Sequence, residues 1–195
     1  ERGATVYAVE PNAAMRDAAE GWLGDRPGFV SVDAKAEATT LPDNGVDLVT
    51  AGQAFHWFQP EAARAEFGRI LRPGGPVALI WNSRDKSNAF VAAYEALLEE
   101  YAHRYRHVRH GLARQNIDLL FTDSYEVRLF THERLLDFDQ LFGVTQSQST
   151  NPLPGDPRYE PMSARLKAIF DAHQRDGQVG MAYRTQLFFG RVGNG

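Results

Sequence analysis

The sequence predicts an α/β fold built on a doubly wound, mostly parallel sheet. Short apolar runs rich in β-forming residues alternate with amphipathic helical segments, as in a parallel sheet with crossover helices. The runs are almost continuously apolar, which is typical of strands that helices cover on both faces. The composition agrees, since 43% hydrophobic and 24% charged residues are ordinary for a globular protein. A chain of 195 residues fits a single domain, expected over residues 1–195.

The first part of the chain carries this alternation. The first strand is expected to be buried on both faces, and a helix follows it from the N-cap Asn12 to Gly24. A second helix is predicted from Pro60, which suits the first turn, to Leu71. Its apolar face consists of Ala63, Phe67, Ile70 and Leu71. The four strands are predicted at 5–9, 29–32, 46–51 and 76–81.

The pattern changes after Trp81. A long helix is predicted from Asn88 to about His110, inside a helical insertion at 86–121. The segment from Asn151 to Pro161 is rich in Pro, Gly and Asp, so we expect a loop or a mobile edge. The other predicted elements are a strand at 125–130, a short helix at 135–142, a helix at 163–176 and a final strand at 179–192.

Composition excludes several classes of function. The chain has no cysteine, which rules out disulfides, Cys-ligated zinc and thiol catalysis and is compatible with a cytoplasmic protein. No apolar run approaches the ~20 residues that a membrane helix needs. The net charge of −4 argues against a large nucleic-acid footprint.

Glu10 is the first candidate site residue, because it ends an apolar strand just before a helix. Ligands of open α/β sheets bind beyond the carboxyl ends of the strands. A carboxylate there can accept hydrogen bonds from both hydroxyls of a ribose, which indicates a nucleoside-containing cofactor without separating NAD from other nucleosides. The alternative is a carboxylate that caps the helix and favours its dipole.

A second candidate is the aromatic tail that follows the strand at 46–51. Gly52 allows a ligand to approach the backbone closely. Phe55, Trp57 and Phe58 either cover a ligand or pack above the sheet. His56 is either a general base or a hydrogen-bonded structural residue.

These residues, taken in order, resemble the class I S-adenosylmethionine-dependent methyltransferases of the small-molecule, type 11 branch. The resemblance rests on Glu10, Ala36-Glu37 with Leu41-Pro42-Asp43, the run Val46–Val49 into Phe55–Phe58, and Arg69–Gly75. It implies a Rossmann-like sheet whose C-terminal strand is antiparallel, with the helical insertion added. It also implies methyl transfer from S-adenosylmethionine to a nucleophilic O, N or C of a small-molecule acceptor, chemistry that depends on positioning and desolvation.

The resemblance assigns the cofactor-binding residues. Glu10 would bind the ribose hydroxyls, and Pro11 and Met15 would flank the adenine or ribose. Ala36 and Glu37 would lie at the adenine edge.

The aromatic tail receives the remaining roles. Gln53 and Phe55 would lie near the methionyl end of the cofactor, and His56 and Trp57 would face the methyl acceptor. His56 is the first candidate for a catalytic base if the acceptor must lose a proton. One departure is Lys35, where many relatives carry an acidic residue, so adenine recognition would fall to a backbone carbonyl or to Glu37.

A larger departure concerns the start of the chain. The first strand and Gly-rich loop of the family precede the Glu10 strand, and these 195 residues contain no such segment. We expect the working protein to have further N-terminal sequence, and residues 1–195 alone to bind the cofactor poorly.

Three further interpretations remain open. His103, His107 and His110 share a helix face with Glu99, which suits a metal or simply a basic helix end, and no metal is expected. Contact with a phosphate-bearing acceptor or an RNA is a further alternative for this segment. A Rossmann-type oxidoreductase would also use an acid such as Glu10. A degenerate, non-catalytic methyltransferase-like module would bind a partner instead. The regions expected to select the acceptor, 86–121 and 143–162, carry no diagnostic motif.

Overall fold

The structure, a computed structural model, describes residues 3–102, 114–121, 124–148 and 150–192. The chain divides into two compact units. The first unit consists of Glu1–Leu79, Leu112–Val127 and Phe188–Gly195, and the second of Ile80–Gly111 and Arg128–Leu187.

Strands and helices alternate through the first half of the chain, as predicted. The strands are β1 (Val6–Val9), β2 (Phe29–Val32), β3 (Val49–Gly52), β4 (Val77–Arg84), β5 (Tyr125–Leu136) and β6 (Val179–Gly190). The helices are α1 (Ala13–Leu23), α2 (Pro60–Ile70), α3 (Ala89–Tyr101), α4 (Arg114–Leu120), α5 (Phe138–Gln146) and α6 (Tyr159–His173), with a 3₁₀ turn at Phe55–Trp57.

The strands form two sheets. β1 and β2 are parallel, with Val6 opposite Phe29 and Val9 opposite Val32. The second sheet has the order β3-β4-β6-β5. Asn82 pairs with Thr185 while the later Asp85 pairs with the earlier Ala182, so β6 is antiparallel to β4. The mixed α/β sheet with an antiparallel C-terminal strand is therefore confirmed.

The first unit has its core under α2. The predicted apolar face of that helix is confirmed, with Ala63, Phe67 and Ile70 buried and Pro60 in the first turn. The buried side chains around them include Phe55, Val77, Leu79, Ile117 and Leu120.

The second unit has a separate core between α3, α5, α6 and β6. Asn88 caps α3 as predicted, since its Oδ1 accepts a hydrogen bond from the Val91 amide. The fully buried side chains of this second core include Tyr94, Leu97, Leu98, Leu141, Leu166 and Met181. Of the predicted helical insertion, α3 belongs to this unit and α4 to the first.

The prediction that the first strand is buried on both faces is wrong. Val6 is 57% exposed and Tyr7 39% exposed. Among the described residues β1 pairs with β2 alone, so only its second half is partly covered. Helix α1 follows the predicted caps but has no buried residue.

Three boundaries in the second half also differ from prediction. β5 continues to Leu136, because the capping box of Asp137 with Gln140 starts α5 only at Phe138. Helix α6 begins at Tyr159, inside the predicted loop, since Pro161 lies in the first turn and needs no amide partner there. The long helix predicted to His110 is helical to Tyr101, and residues 103–113 lie outside the described part.

Within the described segments, no helix combines the length and the apolar character that crossing a membrane requires.

Candidate functional site

Glu10 lies at the carboxyl end of β1, where it joins the end of β2. Its amide donates to the Val32 carbonyl at 3.1 Å. Arg16 Nη1 donates both to the Glu10 carbonyl and to Asp33 Oδ1, each at 3.0 Å. Oε1 of the Glu10 carboxylate accepts from the Asn12 amide at 2.8 Å. Among the described residues no other group hydrogen-bonds that carboxylate, which leaves Oε2 for a ligand hydroxyl.

The start of α1 places apolar side chains beside Glu10 in sequence. Asn12 is the helix N-cap, and its Oδ1 accepts from the Met15 amide at 3.1 Å. Pro11 is exposed, and Met15 is 62% exposed. Both are therefore accessible to a flat ligand.

A tight turn follows β2 and carries the predicted adenine-edge residues. The Ala38 amide donates to the Lys35 carbonyl at 3.1 Å, which puts Ala36 and Glu37 at the tip. Glu37 Oε1 accepts from the Gln59 amide at 2.8 Å. Gln59 is the N-cap of α2 and makes no capping bond with its own side chain. Glu37 therefore caps α2 with one oxygen, a role the sequence did not indicate.

Behind the turn lies a buried carboxylate, Glu66, which is 8% exposed. Its Oε1 accepts from the Thr39 amide at 2.7 Å and from the Thr39 hydroxyl at 2.6 Å. Arg69 donates to both carboxylate oxygens, from Nη2 to Oε1 at 2.7 Å and from Nε to Oε2 at 2.9 Å. The Arg69 guanidinium and the Thr39 donors lower the pKa of Glu66 from 4.5 to about 2, so it stays ionised.

Arg69 extends this network to the rest of the loop. Its Nη1 donates to the Leu41 carbonyl at 2.8 Å and to Asp43 Oδ1 at 2.5 Å. Thr40, between the tethered residues, has a φ of 61°. A β-branched residue in the left-handed region is strained, and surrounding contacts must hold it there. We call residues 35–43 the clamped turn.

The end of β3 is the third part of the site. Gln53 follows Gly52 with a φ of 53° and is exposed. A side chain at Gly52 would meet no described atom within 4 Å, so the backbone there is open to close approach. Phe55 is only 1% exposed, and its ring lies edge to face with that of Phe58, with the ring centroids 5.7 Å apart. The Phe55 ring therefore packs in the core.

His56 and Trp57 differ in exposure although they are adjacent. Trp57 is 75% exposed, whereas His56 is partly covered and its Nδ1 atom is buried. Their ring centroids are 4.6 Å apart. Burial lowers the pKa of His56, so the imidazole is neutral at neutral pH.

The described contacts connect some predicted site residues and leave others apart. Glu10 is joined to the end of β2, and Glu37 to the start of α2. The contacts of Met15 and Trp57 stay within their own segments, since the Met15 amide donates to Asn12 and the Trp57 ring lies against His56. The histidines at 103, 107 and 110 lie outside the described residues.

Sequence reasoning missed Glu66 and Thr39 and noted Arg69 only as part of a motif. A signal was available, because Glu66 falls on the same helical face as Ala63, Phe67 and Ile70. A carboxylate on an apolar face indicates a buried partner, but the sequence does not say which one.

Residues 1–79 match the family described as "Methyltransferase domain". An uncharacterized methyltransferase of Mycobacterium tuberculosis is 43% identical over 91 residues, which cover 47% of this chain and 36% of that protein. An uncharacterized methyltransferase of Schizosaccharomyces pombe is 37% identical over 145 residues, covering 72% of this chain and 57% of that protein. The matched segments of this chain thus span between about a third and just over half of the length of these relatives.

Solved structures share the fold over nearly the whole chain. A protein assigned as a type II methyltransferase, from Anaeromyxobacter dehalogenans, superposes with a TM-score of 0.66 at 20% identity, covering 96% of this chain and 80% of that one. The YcgJ protein from Bacillus subtilis gives a TM-score of 0.55 at 17% identity, covering 97% and 83%. At such identities the likeness concerns the fold.

Proposed function

We propose that the protein methylates a small-molecule acceptor. Residues 1–79 match the methyltransferase domain family, and the chain has the Rossmann-like fold of class I S-adenosylmethionine-dependent methyltransferases. The cofactor that this family uses is S-adenosylmethionine. The observation that carries the proposal is the Glu10 carboxylate at the carboxyl end of β1, with one oxygen held by the Asn12 amide and the other without a hydrogen bond from any described residue.

The residues present suit a nucleoside cofactor. Glu10 Oε1 is fixed by the Asn12 amide, so the carboxylate is oriented before a ribose hydroxyl reaches Oε2. Pro11 and Met15 offer apolar surface for the adenine or ribose. Ala36 and Glu37 lie on a turn that the hydrogen bond between Ala38 and Lys35 closes. Gln53 would lie near the methionyl end, where the open backbone at Gly52 allows close approach.

Methyl transfer from S-adenosylmethionine requires little chemical assistance from side chains. S-adenosylmethionine supplies a methyl group that its sulfonium already activates. His56, neutral because burial lowers its pKa, can accept a proton from an acceptor that must lose one. The exposed face of Trp57 can cover an apolar part of the acceptor.

Two features favour a small acceptor over a nucleic acid. The chain carries a net charge of −4, whereas phosphate backbones are bound through many lysines and arginines. The aromatic face offered beside His56 is a single exposed indole rather than a stacking platform.

The test measures cofactor affinity by calorimetry on the full-length protein, with Glu10→Gln as the variant. We expect Glu10→Gln to lose about 1.5–3 kcal/mol of S-adenosylmethionine affinity, the worth of a charge-assisted hydrogen bond. Asp47→Asn is the matched control, since Asp47 is also an exposed carboxylate but precedes β3 and pairs with Arg72. Equal affinity of wild type and Glu10→Gln contradicts the ribose assignment, and binding of NADH instead supports the oxidoreductase alternative.

His56 is tested on the same protein. If it takes the acceptor's proton, His56→Ala lowers turnover ~10²-fold or more and leaves cofactor affinity nearly unchanged. Trp57→Ala should mainly weaken acceptor binding. A His56→Ala protein that loses melting temperature, cofactor affinity and turnover together indicates a structural residue.

A further inference from the structure

We propose that Glu66 is a positioning residue for the cofactor site: through Thr39 and Arg69 it fixes the clamped turn, and so Ala36 and Glu37, in the conformation that binds the cofactor. The inference rests on the proposed function. It adds that a buried carboxylate that does not touch the cofactor controls cofactor affinity.

The clamped turn is tied to one helix at both ends. Glu37 is held by the amide of Gln59 at the start of α2. Thr39 is held by Glu66, about two turns further along the same helix. Arg69, in the last turn, holds the Leu41 carbonyl and the Asp43 carboxylate. Helix α2 therefore serves as a rigid support for the whole segment.

Glu66 is a buried charge on an otherwise apolar helix face. Burying a carboxylate is costly, and an apolar side chain of similar size beside Ala63, Phe67 and Ile70 would avoid that cost. Glu66 instead accepts two hydrogen bonds from Thr39, one from the backbone amide and one from the hydroxyl. A carboxylate in this place thus specifies the conformation of the loop, which an apolar residue could not do.

The backbone of the clamped turn is strained at Thr40. Its φ of 61° is one that a threonine avoids unless neighbouring contacts enforce it. Thr39 on one side and Leu41 on the other are both held by the Glu66–Arg69 pair. Without that pair the segment would relax at Thr40, and the tip at Ala36 and Glu37 would move with it.

Loss of the clamp should lower cofactor affinity, because the clamped turn is then no longer preorganised for binding. A cofactor binds a protein whose competent conformation is a fraction of the population with an affinity reduced by that fraction. If loss of the clamp leaves the turn competent about a tenth of the time, the dissociation constant rises about tenfold.

The experiment compares Glu66→Gln with Glu95→Gln in the full-length protein. Glu95 is the matched control, a carboxylate 4% exposed that pairs with an arginine, Arg84, in the second unit. Hydrogen exchange of 36–43 is measured without cofactor, S-adenosylmethionine affinity by calorimetry, and melting temperature on both variants. We expect Glu66→Gln to speed exchange in 36–43 and raise the dissociation constant about tenfold, and Glu95→Gln to lower melting temperature with affinity within about twofold of wild type.

Arg69→Lys is a second variant in case Glu66→Gln does not fold. It keeps the charge beside Glu66 but loses the planar fork that reaches Leu41 and Asp43, so it should raise the dissociation constant by a smaller factor. Affinity changes in Glu66→Gln and Arg69→Lys no larger than in Glu95→Gln overturn the positioning role while leaving the proposed function intact. A wild-type protein that does not bind S-adenosylmethionine overturns both.

Discussion

Glu66 in the first unit and Glu95 in the second are alike in setting and different in what they hold. Each lies on the apolar face of a helix, is nearly fully buried and accepts from an arginine. Glu66 also accepts from the backbone of a loop 27 residues away. Glu95 forms ion pairs with the side chains of Arg84 and Lys86.

The difference distinguishes two uses of a buried carboxylate. Side chains that pair with each other can be exchanged together for apolar residues, because the backbone around them keeps its own hydrogen bonds. A carboxylate that satisfies a loop amide leaves that amide without a partner when it is removed. We therefore expect the two sites to respond differently to the same changes.

The largest effect is expected when one partner of the second pair is removed. Glu95→Ala leaves Arg84, 19% exposed in its side chain, without its carboxylate and should cost about 3–5 kcal/mol of unfolding free energy. The double variant Arg84→Met with Glu95→Leu should recover most of that loss in denaturant unfolding. The corresponding double variant Arg69→Met with Glu66→Leu should not recover cofactor affinity, and full recovery there contradicts the difference between the pairs.

Acid should weaken the first pair over a defined range. The pKa of Glu66 is lowered from 4.5 to about 2 in the folded protein. The ionised carboxylate therefore contributes fully to the free energy of unfolding above pH 4.5, and this contribution disappears as the pH falls towards 2. The whole contribution is roughly 3 kcal/mol. Denaturant unfolding at several pH values should show a shallower acid loss in Glu66→Gln than in wild type. Parallel curves would show that Glu66 titrates normally.

A smaller effect is expected from two buried threonines, one in each unit. Thr39→Val removes a hydroxyl that donates to Glu66, and Thr145→Val removes one that donates to the Leu141 carbonyl beside Tyr94. Each should lower the unfolding free energy by about 1–2 kcal/mol. Cofactor affinity should fall in Thr39→Val only, and an equal fall in Thr145→Val argues that affinity simply follows stability.

The smallest effect on stability is expected at Thr40. Thr40→Gly relieves the left-handed strain at a φ of 61° but adds backbone freedom to the unfolded chain, two terms of about 1 kcal/mol each. Melting temperature should therefore change little, while exchange in 36–43 should rise. Protection equal to wild type would mean that the clamp needs no help from the backbone of Thr40.

Periodicity predicted much of the fold. The alternation of apolar runs and amphipathic helices, the Asn12 and Asn88 caps and the apolar face of α2 are all present. Each depends on neighbours within a few residues, which a sequence displays directly. The exposure of β1 could not be predicted, because it depends on which strands pair beside it.

The sequence by itself determined the class of fold, the position of Glu10 at a strand end and the order of the segments around it. Tertiary structure alone decided that Glu37 caps α2, that the ring of Phe55 packs in the core and that Glu66 holds Thr39. Such roles join residues 22 and 27 positions apart along the chain or depend on burial by several elements. Hydrogen bonds need partners within about 3 Å in space, and separation along the chain carries no information about that distance.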